Sequence, residues 1–183
     1  MNNDKSVRLP VLVMMTIVAH TTTYLIMGII ASSLLNYADR FARPEMICWM
    51  RPVSDPLVMA GPLFQPIRGI IFALVFFPLR EILFTRKNGW FIMWWILVAL
   101  GIISTFGPSP GSIEGMIYTV IPWRDQLAGW LEVIPQAFLL SVVLFYWVRN
   151  PMKRWLNWAL GAVFIIGMLL PVMGLLFTHY ASR

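Results

Sequence analysis

Apolar residues run in long blocks along this chain, and the polar residues collect between them. The first block covers residues 9–35. A helix needs roughly 20 apolar residues to cross the hydrocarbon of a bilayer, so this block predicts a membrane span. It is longer than the ~7–15 apolar residues of a cleaved leader, and is read as a retained helix. Further blocks at 65–84, 90–106, 131–148 and 156–177 predict four more spans. The expected architecture is all-α: a polytopic membrane helix bundle of about five transmembrane helices, forming a single integral membrane domain over 1–183.

The segments between the blocks differ in kind. Residues 36–64 carry Pro44, Pro52, Pro56 and Pro62, which no long helix tolerates. The same segment holds Arg40, Arg43 and Arg51 with Asp39, Glu45 and Asp55, and is expected to form an irregular extracytoplasmic cap. TRKNG at 85–89 and RNPMKRW at 149–155 are short basic turns. In 107–130, Pro108 and Pro110 stop the third helix, and Ser109, Gly111 and Ser112 turn the chain and cap a short helix, SIEGMIYT. Trp123, Arg124 and Asp125 then read as a polar interface ahead of the fourth span. Lys and Arg in short loops mark the cytoplasmic side. Lys5, Arg8, Arg86, Lys87, Arg149, Lys153 and Arg154 share one side when the N-terminus is cytoplasmic, and both long loops then lie outside.

Composition agrees with this reading. The chain is 59% hydrophobic and 12% charged, with a mean hydropathy of +0.74. Soluble domains run nearer a quarter charged, so lipid is needed to cover this much apolar surface. The formal net charge of +6 comes from side chains flanking the apolar blocks. They form no basic stripe, and a nucleic-acid partner is not expected. The single cysteine, Cys48, excludes an internal disulfide framework. His20 and His179 have no partner at metal-ligand spacing, so no metal site is expected. The chain has no phosphate loop, nucleophile elbow or HExxH motif, which gives little support to an enzyme and leaves any cofactor unidentified. With no leader or long targeting segment, the expected location is a bacterial cytoplasmic (inner) membrane.

The candidate chemistry lies in the polar residues at membrane depth, where ionisable groups are expensive and are paired, snorkelled or functional. Gln65 and Arg68 are three apart and share a helix face. Glu132 and Gln136 fall at the same expected depth, and Glu114, Tyr118 and Arg124 lie in the adjoining loop. Together these residues predict an outer-face polar pocket roofed by 36–64, in which Arg68 is read either as an interfacial arginine on lipid headgroups or as a buried anion-binding or pairing arginine, Glu114 or Glu132 being partners that would offset its desolvation. His20, an intramembrane polar residue near the middle of the first span, is expected to hydrogen-bond a neighbouring helix. Gly69 and Ala73 form a small-residue step for close helix approach, and Pro78 predicts a kink.

The leading expectation is a protein that binds a small molecule or lipid headgroup, or assists its transport. The alternatives are a structural or regulatory subunit of a larger membrane complex, and an embedded enzyme using Glu114 or Glu132 beside Arg68 on a lipid-like substrate. The expected partners are the lipid bilayer and either further copies of the chain or other membrane proteins.

Overall fold

The computed structural model describes residues 7–181; Lys5 lies outside them, as does the side chain of His179. All secondary structure among the described residues is helical. Three helices are long and apolar enough to cross a membrane: α1 (Leu9–Leu35), α9 (Trp123–Arg149) and α10 (Arg154–Ala181). Between α1 and α9 lie α2 (Tyr37–Phe41), α3 (Pro44–Ile47), α4 (Pro56–Met59), a 3-10 turn (Gly61–Phe64), α5 (Gln65–Phe76), α6 (Arg80–Thr85), α7 (Gly89–Val98), a π turn (Ala99–Ile103) and α8 (Ile113–Tyr118).

α1 is the hub, packing against α5, α9 and α10, while α7 packs against α6 and α9. The contacts fix the directions. Just past the end of α1, Tyr37 and Arg40 reach Glu132 and Asp125 near the start of α9. Just before α1 begins, Val7 shares a cavity with Arg149 at the end of α9. α1 and α9 are therefore antiparallel. α10 starts beside the end of α9 and reaches α4 and the 3-10 turn, so it runs parallel to α1. Trp94 donates to the Ile134 carbonyl at 3.3 Å and Trp90 meets Phe138 edge-on, which sets α7 antiparallel to α9.

The second and third apolar blocks are interrupted. The prolyl ring of Pro78 removes an N–H, and the chain makes a turn at 77–79 that separates α5 from α6. α7 loosens into the π turn before the chain leaves the helix at Ser104. The fourth helix begins at Trp123 rather than near Leu131, so the polar WRDQ stretch is its first turn. Pro135 lies inside α9, and Pro171 inside α10.

Packing follows the sequence closely at α1–α5. Gly69 and Ala73 are both buried, and a Cβ on Gly69 would stand 2.6 Å from the Ile17 Cα. Only a glycine lets the two backbones approach this far. The buried face of α1 is unusually polar, with Thr16, His20, Thr21, Thr22 and Thr23. Thr16 donates to the Leu12 carbonyl at 2.7 Å and Thr23 to Ala19 at 2.9 Å, so these hydroxyls are satisfied within the helix. Thr22 reaches across to the Leu160 carbonyl of α10 at 3.5 Å.

The outward faces are apolar. Only 17% of the most apolar window of α10 is buried, and that window has a mean hydropathy of 2.5. Water does not solvate such a face, and lipid does.

Candidate functional site

The candidate site begins on α1, where His20 is 1% exposed. Its Nε2 lies 3.1 Å from Gln65 Oε1, and Gln65 Nε2 in turn donates to the Gly61 carbonyl at 3.1 Å. This chain of contacts sets the proton positions. The Gln65 amide must point its NH2 at the carbonyl, so its oxygen faces His20 and accepts from Nε2–H. In the neutral imidazole Nδ1 is then a bare acceptor. It is buried and has no hydrogen-bond partner among the described residues, and neither does the neighbouring Thr21 hydroxyl.

His20 lines a half-open cavity of about 330 Å³ bordered by α1, α5, α7, the π turn and α9. Tyr24 joins it one turn further along α1, and Arg68 and Phe72 enter from α5. Glu132 and Gln136, also four apart, enter from α9. The Phe72 ring sits between two of the polar groups. The His20 ring meets it edge-on at 5.0 Å, and the Arg68 guanidinium lies 5.7 Å from its centroid. Such a cation–π contact steadies the guanidinium without spending its hydrogen bonds.

A second, larger cavity of about 580 Å³ adjoins the first and shares Tyr24 and Glu132 with it. Its walls are mostly apolar, with Leu25 and Ile29 from α1 and Met46, Met50 and Met59 from the 36–64 segment. Several polar groups at its edge are already engaged. Arg40 pairs with Asp125 at 3.1 Å, with both side chains largely buried, and also donates to the Asp125 carbonyl. Arg43 reaches the same carboxylate at 3.5 Å. The Tyr37 hydroxyl donates to Glu132. Burial, reinforced by the Glu132 carboxylate beside it, pushes the Tyr37 phenol well above its ordinary range.

The loop before α9 is held by Gln126 and by Trp130, whose indole N–H donates to the Gly111 carbonyl at 2.8 Å. Gln126, 2% exposed, accepts from the Gly111 N–H at 3.2 Å and donates to the carbonyls of Gly115 and Ile121 at 3.2 and 2.9 Å. Gly111 has φ +85, and a Cβ there would meet the Trp130 indole nitrogen at 2.9 Å. Ser112 caps α8 by accepting from the Gly115 N–H at 2.9 Å.

Of the residues singled out in the sequence, Arg68, Glu132, Gln136 and His20 surround one cavity, and Gln65 braces it from behind. Arg68 forms no ion pair among the described residues, and Glu132 is taken by Tyr37 instead. Glu114 and Tyr118 are exposed on α8, away from both cavities. Arg124 is exposed and lies over the Trp123 ring at 5.5 Å. Tyr24, Tyr37 and Gln126 went unread in the sequence. Tyr24 has a legible signal, since its spacing of four from His20 puts both on one face. Among the described residues no three His, Cys, Asp or Glu side chains converge as a metal set. No protein-family model, curated protein or solved structure matches this chain.

Proposed function

We propose that this is a multi-pass membrane protein of five spans, with its N-terminus cytoplasmic, that binds a small amphiphilic molecule of the lipid-headgroup class. The ligand sits in the paired cavities near the outer face, under a cap made by residues 36–64. The reading rests on the cavity of about 330 Å³, which gathers Arg68, Glu132 and Gln136 around a buried His20 acceptor. A buried polar atom without a partner costs on the order of 1–3 kcal/mol, and a ligand donor recovers it. The adjoining apolar chamber of about 580 Å³ suits the hydrocarbon part of the same molecule. Together the two fall in the usual range for ligand pockets.

The alternating helix directions support a reading of five spans. Gly61–Phe76 and Gly89–Ile103 are shorter than the other three candidates. At 1.5 Å per residue they measure about 24 and 22 Å, against a hydrocarbon core of about 30 Å. α6, beyond the turn at 77–79, extends the first of these. The basic turns at 85–89 and 149–155 lie at the opposite end from the 36–64 segment, which supports a cytoplasmic placement for them.

The test is native mass spectrometry of protein extracted gently from its own membrane, comparing wild type with Arg68→Leu. The expected result is a defined small-molecule or lipid adduct on wild type that is lost in the variant, with an unchanged melting temperature. An adduct indifferent to Arg68 would overturn the proposal. So would a bare chain held in fixed ratio with other membrane proteins, which would make this a complex subunit.

A further inference from the structure

At the opposite end of the bundle lies a third cavity, of about 450 Å³, lined by α6, the end of α9, Pro151 and Val7. Arg80 and Arg149 both line it, together with the hydroxyl-bearing Thr85 and the apolar Phe84 and Val148. Each guanidinium is steadied from behind by an aromatic ring. Arg80 lies 4.4 Å from the Phe77 centroid, and Arg149 lies 5.0 Å from that of Phe145. Arg80 donates to the Phe77 carbonyl at 3.1 Å, and its buried Nε–H has no hydrogen-bond partner among the described residues. Neither arginine has an ion pair among the described residues, although the exposed Glu81 carboxylate also borders the cavity.

From this cavity we infer a second site, one that binds a phosphate group, with the phosphodiester of an anionic amphiphile as the matching chemistry. Two guanidiniums that line one cavity favour an anion between them. A planar guanidinium also presents donors in the fork that phosphate oxygens accept. The break at Pro78 creates the arrangement, because it turns the chain just before Arg80. Phe84 and Val148 give the non-polar part of an amphiphile a wall to rest on. The cavity lies at the end carrying Arg86, Lys87, Lys153 and Arg154, where basic pockets meet anionic headgroups. The inference uses none of the residues of the paired cavities, so either proposal can fail without the other.

The experiment is native mass spectrometry of the delipidated full chain titrated with phosphatidylglycerol, phosphatidylcholine or inorganic phosphate. Wild type is compared with Arg149→Gln and with Arg80→Gln plus Arg149→Gln. The expected result is preferential phosphatidylglycerol binding that weakens about tenfold for each guanidinium removed, roughly the worth of one charge-assisted contact. Arg149 is exposed, so its single variant reads the loss even where the double variant is unstable. Binding of inorganic phosphate that depends on the same arginines also supports the site and identifies a soluble anion as its source. Equal binding of the two lipids without arginine-dependent phosphate binding, or binding indifferent to Arg149, overturns the inference.

Discussion

Glu132 is the residue on which the site turns, because its carboxylate belongs to both cavities at once. It is half-buried, and the Tyr37 hydroxyl donates to it. Tyr37 is fixed in turn by stacking on Phe41, with ring centroids 4.9 Å apart. This bond has a consequence for stability at alkaline pH. In the unfolded chain the phenol ionises near pH ~10, whereas in the folded protein burial and the adjacent carboxylate raise it above that. The folded state keeps a proton that the unfolded state loses, so this contribution is complete below about pH 10 and declines as pH rises. Tyr37→Phe is therefore expected to lower unfolding free energy in micelles by about 1.5 kcal/mol at neutral pH. It is also expected to flatten the decline above pH ~10, since only the wild type has this proton to lose. Parallel pH profiles for the two proteins would show that the bond carries no such weight.

At the scale of elements, the α1–α5 contact holds His20 against Gln65. Gly69→Val is expected to cost about 1–3 kcal/mol, as overpacking does, because the atom facing it is the Ile17 backbone and not a mobile side-chain tip. Gly161→Ala on α10 is the matched control: a Cβ there meets nothing within 4 Å, and stability is expected to hold or rise slightly. Unfolding of both variants in micelles decides the point, and equal losses would refute the close-approach argument. What was legible in advance was local. The α1 block, the small-residue step at Gly69 and the Ser112 cap are each written in residues next to one another, whereas Pro78, expected to kink one helix, separates two. What was not legible depends on tertiary partners. α9 extends back to Trp123 through a polar stretch because Asp125 and Gln126 are engaged by Arg40 and by the Gly111–Ile121 loop. Hydropathy reports none of those contacts. Depth in the chain brought Arg68 and Glu132 to one level. It did not give the rotation of each helix, and that rotation decides that Glu132 meets Tyr37.

At the scale of the whole molecule, the chain has polar groups inside the bundle and an apolar exterior, with its charges gathered at two ends. One end carries residues 36–64, and the other carries the basic turns. A bilayer crossing between them must place these ends in different compartments. The single cysteine makes the arrangement measurable, because Cys48 is exposed within 36–64. In intact cells or right-side-out vesicles, a membrane-impermeant maleimide is expected to label Cys48 without permeabilisation. With Cys48→Ser as background, Lys87→Cys in the exposed α6–α7 turn is expected to react only after the membrane is opened. The opposite pattern would invert the topology. It would move the paired cavities to the cytoplasmic face and the Arg80–Arg149 cavity to the outer one. Labelling of both positions from the same side would require an even number of crossings between them. That would remove α5–α6 as a span, because it is the apolar segment separating Cys48 from Lys87.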